Sequence, residues 1–125
     1  MNNQEIYTKV RNHLLRQRRQ AKEAGMCKYR TDEGLTCAVG CLIPESMYNP
    51  EIENVSAGVV WVGSRYRANN GGIAILKGIF DFLGIQKESA PLLRSLRGLH
   101  DQHPPSEWEI RLDNLAKDYN LEVES

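Results

Sequence analysis

The sequence predicts a mainly α-helical fold: a single compact domain over residues 1–125 with a small two-stranded β-ribbon in its middle. Three observations carry that expectation. Apolar residues recur every third or fourth position in several separate stretches, the spacing of a helix that buries one face. Residues that favour helix starts and stops flank most of those stretches. The β-favouring run Val59-Val60-Trp61-Val62 is short and runs into the turn residues Gly63 and Ser64.

The first helix is expected over residues 2–25. Asn2 and Glu5 have capping-box spacing, Ile6, Val10 and Leu14 form the buried stripe, and Gly25 suits the stop. Arg16, Arg18 and Arg19 fall off that stripe and make a basic outer face. Residues 26–37 read as a loop or short hairpin turning at Asp32-Glu33-Gly34. Thr36 is placed to cap a short buried helix, CAVGCLI, which Pro44 ends. Asn49-Pro50 starts a further bend. The ribbon is expected between Val55 and Gly72.

Helices resume at residues 72–85, with Ile75, Ile79, Phe82 and Leu83 inward and Gly84 as the stop. The next starts at Ser89, carries Leu92, Leu93, Leu96 and Leu99, and halts before Pro104. The last is expected over 106–120, with Ser106 and Glu109 as a capping box and Trp108, Leu112, Leu115 and Tyr119 inward.

Composition narrows the function classes. A chain with 41% hydrophobic and 26% charged residues is that of an ordinary globular domain, which excludes wholesale disorder. No apolar run is long enough to span a bilayer, and the N-terminus is too polar for a signal peptide, so a cytoplasmic protein with no membrane partner is expected. The odd cysteine count agrees with a reducing compartment and no structural disulfide. Sixteen basic residues balance sixteen acidic ones, which argues against a general nucleic-acid binder. Residues 1–30 hold eight Lys or Arg against two Glu, and residues 86–125 hold five against eight acidic residues, so the two ends are expected to pair or to present solvated faces.

Chemistry centres on Cys27, Cys37, Cys41, His100 and Asp101, and three uses are open. Three thiols with His100, or with His103 in its place, supply the donors of a tetrahedral zinc site, although the common two-residue gap between paired cysteines is absent. Cys37 or Cys41 at a helix start, with His100 as base and Asp101 to orient it, is the outline of a thiol enzyme. Neighbouring helical residues point about 100° apart, so Asp101 orients His100 only if the helix ends there. The third use is structural: free cysteine is among the most buried residue types, and Ala38, Val39, Leu42 and Ile43 are core-like neighbours. His100 also suits a helix C-terminus, where it complements the dipole. Tyr29 with Arg30, and the run Arg65-Tyr66-Arg67, combine guanidinium and aromatic groups that stack a base or bind a phosphate, or simply decorate a solvated loop.

Three pieces of the chain carry a resemblance. QEIYTKVRNHL at residues 4–14, CKYRTDEGLTCAVGCLIPESMY at 27–48 and LRGLHDQHPPSEWEIRLDNLAKDYNL at 96–121 resemble the signature of a family of small uncharacterised proteins of tailed bacteriophages and bacteria. The resemblance implies that Cys27, Tyr29, Arg30, Cys37, Gly40, Cys41, His100 and Asp101 belong to one motif; it implies no activity. The segment from Val55 to Gly72 has no counterpart in that signature.

The expectation drawn from all this is a small non-enzymatic phage accessory protein in the host cytoplasm. It binds a host protein or a nucleotide-like small ligand through Tyr29, Arg30, His100 and Asp101, with a homodimer as a further candidate state. No cofactor is expected beyond the candidate zinc on Cys27, Cys37, Cys41 and His100. The alternatives are the thiol enzyme and a zinc-stabilised nucleic-acid-binding protein.

Overall fold

The computed structural model describes residues 1–61 and 70–123. Four α-helices, α1 (Asn3–Gln17), α2 (Asn70–Leu83), α3 (Ala90–Gln102) and α4 (Trp108–Asp118), accompany one antiparallel ribbon, β1 (Lys22–Glu23) with β2 (Met26–Cys27). The fold is therefore mainly α with a small two-stranded sheet, as the sequence predicts. Between the ribbon and α2, short 3-10 turns lie at Gly40–Leu42, Glu45–Met47, Pro50–Asn54 and Ala57–Trp61.

The α1 start is as expected. The Asn2 side chain accepts from the Glu5 amide and the Glu5 carboxylate accepts from the Asn2 amide, both at 2.9 Å. Ile6, Val10 and Leu14 are buried on one face. The helix stops eight residues before Gly25, however. Arg18 adopts the left-handed conformation (φ 54°) and its N–H closes on the Leu14 carbonyl. Ala24 and Gly25 then both take positive φ, 53° and 79°, the twist a two-residue hairpin turn needs. Gly25 thus turns a ribbon and does not stop a helix, and the ribbon sits at residues 22–27.

In the segment where the ribbon was expected, Ala57–Trp61 forms a 3-10 turn, and residues 62–69, including Arg65-Tyr66-Arg67, lie outside the described residues. Trp61 stacks on Phe80 of α2, ring centroids 5.4 Å apart, so its ring serves packing. The buried side of α2 is Leu76, Ile79 and Phe80, while Phe82 is 72% exposed. The α2 stripe is shifted because Gly72 must face the turn Pro50–Asn54: a Cβ there would stand 2.4 Å from the Glu51 carbonyl oxygen.

The expected helix at Cys37–Ile43 shrinks to one 3-10 turn, Gly40–Leu42. Thr36 does not cap it. Instead Thr36 pairs with Arg30 in an isolated β-bridge, and its backbone and hydroxyl bind His13 and Gln17 of α1. The hairpin at 30–36 is real, closed by Thr31 to Gly34 and Leu35 hydrogen bonds. Nor do Ser106 and Glu109 form a capping box: a 3-10 turn, Pro105–Glu107, leads into α4, which has no side-chain cap.

The α3 leucines and α4's Trp108 and Leu112 join the α1 stripe in one buried cluster. Of the basic N-terminal charges, Arg11 crosses to α4, pairing with Asp113 at 2.7 Å and Glu109 at 3.9 Å. Tyr7 on the same face donates to the Leu112 carbonyl at 2.8 Å.

Candidate functional site

His100 and Asp101 lie side by side in the last turn of α3, which runs on through both to Gln102, and their side chains meet although they are adjacent on the helix. His100 is 0% exposed, with Trp108 stacked on its ring at 5.4 Å. The buried Ala21 amide donates to His100 Nε2 at 3.0 Å, so that nitrogen is an acceptor. The ring proton then sits on Nδ1 and is donated to Asp101 Oδ1 at 2.6 Å. The Gln20 amide donates to the His100 and His103 carbonyls, closing the helix end.

The polar chain continues outward. Arg97, one turn earlier on α3, meets Asp101 Oδ2 through Nε at 3.5 Å. Its guanidinium lies over the Tyr29 ring at 5.3 Å and Nη1 reaches the Tyr29 hydroxyl at 3.4 Å. That hydroxyl donates to the Val55 carbonyl. A continuous relay thus runs from Ala21 through His100, Asp101, Arg97 and Tyr29 to Val55, joining segments far apart in sequence. Burial disfavours the Asp101 charge, yet His100, the Cys27 thiol and Arg97 together hold its carboxyl below the usual range.

Of the three thiols, only Cys27 reaches His100: its sulfur, a His100 nitrogen and an Asp101 oxygen all lie within 4.8 Å of one another. Cys37 accepts from the Gly40 amide at 3.2 Å, and Cys41 donates to the Ala38 carbonyl at 3.1 Å. The four-donor zinc set of Cys27, Cys37, Cys41 and His100 therefore does not gather. The trio that does gather does not fit an ion either. Both His100 nitrogens are committed, and two donors on one tetrahedral ion with bonds of about 2.0–2.1 Å would stand roughly 3.3 Å apart, wider than this hydrogen bond.

The thiol-enzyme arrangement is likewise not formed. Burial pushes the Cys37 thiol up to about 11 and the Cys41 thiol up to about 12. Cys27 is raised to about 11, by burial and then by the adjacent Asp101 carboxylate, the opposite of activation. In the native protein at pH 7.5, iodoacetamide should therefore label all three cysteines about a hundredfold more slowly than free cysteine. Intact-mass kinetics read this directly, and rapid single labelling would contradict the assigned environment of Cys27.

The four expected ligand residues divide. Tyr29 is 2% exposed and His100 fully buried, so neither forms a binding wall. Asp101, engaged by His100 and Arg97, does not line the groove beside Arg30. Arg30 does line a groove of about 480 Å³, together with Met26, Cys27, Lys28, Tyr48 and Glu53. Cys27 links that groove to the relay behind it. The Arg30 guanidinium lies over the Tyr48 ring at 5.2 Å, with Nη1 3.6 Å from the exposed Glu45. Its Nε is buried and has no hydrogen-bond partner among the described residues.

Sequence reasoning missed Glu53, the residue that shapes this groove. Glu53 Oε1 accepts from the Tyr29 amide at 2.9 Å and Oε2 from the Arg30 amide at 3.2 Å, and Tyr48 donates its hydroxyl to Oε2. Burial and that carboxylate push the Tyr48 hydroxyl's pKa up, so it stays protonated. Glu23 is similarly engaged, by the Asp32 amide at 2.7 Å and Lys28 at 3.2 Å. Tyr48 belongs to the signature quoted above; Glu53 carries no pattern that would have marked it.

No family model, curated protein or solved structure matches this chain. Among the described residues no helix is long and apolar enough to cross a membrane.

Proposed function

We propose that this chain is a non-enzymatic binding protein that takes a nucleotide-like small ligand in the groove beside Arg30, as an accessory protein of a phage or bacterial cytoplasm. The observation that carries the reading is the Arg30 side chain, which lines the groove and whose buried Nε has no acceptor among the described residues. A buried donor left unpaired is costly, and an anionic group of a ligand relieves that cost. The guanidinium already lies on Tyr48, and its other face is suited to stack a base. Two of the three carboxylates that line the groove, Glu53 and Glu23, are engaged by protein donors, which lowers their repulsion of an anion, and Asp32 is the third. Against catalysis stand three thiols held protonated and a His100 with both nitrogens occupied. Free cysteines and the phage-like signature support the cytoplasmic setting.

Calorimetric titration with AMP and GMP tests the reading. Saturable binding is expected, weakened about tenfold in Arg30→Gln with an unchanged melting temperature. No heat of binding at millimolar nucleotide, or equal affinity in the variant, would overturn it.

A further inference from the structure

A second cavity, about 340 Å³, opens between the stretch Ser56–Val59 and α3. Ala57, Val59 and Leu93 make its apolar side, and Arg94 and Arg97 its polar side. The two arginines are three residues apart on α3 and so share a face. Arg97 is held in place from behind: Nε meets Asp101, Nη1 meets the Tyr29 hydroxyl, and the ring of Tyr29 lies under the guanidinium. Among the described residues its Nη2 takes no acceptor, and the side chain borders the cavity. Arg94 forms no ion pair among the described residues, and its Nη2 lies over Gly58, 3.8 Å from where a Cβ would stand. Two like charges one turn apart repel, and one anion between them removes that repulsion.

We propose that this cavity is a binding site for a small organic carboxylate with an apolar body. Arg94 and Arg97 clasp the carboxylate, and Ala57, Val59 and Leu93 cover the body. Guanidinium groups match the two oxygens of a carboxylate, and an anchored Arg97 loses little freedom when the ligand arrives. The volume lies at the lower end of small-molecule sites and suits a ligand of about the size of benzoate. The site is separate from the Arg30 groove and does not depend on that reading.

Benzoate is the probe, compared with neutral benzamide and with inorganic phosphate, by calorimetry on the full chain. Benzoate should bind saturably, with benzamide and phosphate each about tenfold weaker or more. Arg94 is exposed, so Arg94→Gln should keep its melting temperature and lose about tenfold in benzoate affinity. Arg30→Gln should leave benzoate binding unchanged, which separates this site from the groove. No benzoate binding at 10-millimolar order (~10 mM), full affinity in folded Arg94→Gln, or phosphate binding as tightly as benzoate would each overturn the proposal.

Discussion

Replacing Gly40 by alanine should destabilise the protein by about 3 kcal/mol or more and lower its melting temperature by roughly 10 °C. An added Cβ would stand 1.9 Å from the Tyr29 carbonyl oxygen and 2.8 Å from its carbonyl carbon. Backbone, not a flexible side chain, is what it meets, so no rotamer change removes the clash. The same close approach lets the Cys37 amide donate to the Tyr29 carbonyl, and the Cys37 sulfur accept from Gly40. Pushing Gly40 away would therefore break both contacts and lift the segment that carries Arg30. Gly78 provides the contrast. It is exposed within α2 with nothing within 4 Å of its Cβ position, and Gly78→Ala should stabilise by about 0.5–1 kcal/mol through helix propensity. Thermal melts followed by circular dichroism read both changes, and equal melting of the two variants would refute the packing argument.

His100→Leu should cost about 3 kcal/mol, read as a lower urea midpoint. The Ala21 amide would be left buried without an acceptor, and Asp101 would lose the donor at 2.6 Å. His100→Gln offers an oxygen near the Nε2 position and should recover part of the loss by restoring the Ala21 bond. Asp101→Asn probes the next link, and its effect should depend on pH. The folded carboxyl is held below its ordinary value of 3.8, so its contribution is fully present above that value. It is lost as pH falls through the lowered folded value. The deficit of Asp101→Asn should accordingly be constant near neutrality and shrink below about pH 4. A deficit that grows on acidification would remove Asp101 from the relay. Loss of stability, with no lost activity to accompany it, is also what separates a structural relay from a catalytic pair.

Much of the helical architecture was legible in short stretches of sequence. The α1 stripe and capping box, the leucine face of α3, and Trp108 with Leu112 on α4 all follow from spacing that reports on one turn of backbone at a time. Errors arose where two local signals competed. Gly25 serves a helix stop and a hairpin turn equally well, and the outcome depended on Arg18 ending α1 early. Phe82 fits a helical stripe as well as Phe80 does, and the contact of Gly72 with the Glu51 backbone selected the face. The site was legible only in part. Arg30 was named and lines a groove, whereas Tyr29, His100 and Asp101 stand behind it as support.

By itself the sequence determined the helical class, the leading helix cap and the stock of thiols, imidazoles and guanidinium groups. Tertiary structure alone decided that Cys27, rather than Cys37 or Cys41, meets His100, that Glu53 grips the Tyr29 and Arg30 amides, and that Gly40 must lack a side chain. The physical reason is range. Helix propensity and amphipathic spacing act over one or two turns, while these pairings join residues from eleven to seventy-three positions apart, and no local pattern specifies which of many polar groups a folded chain will bring together.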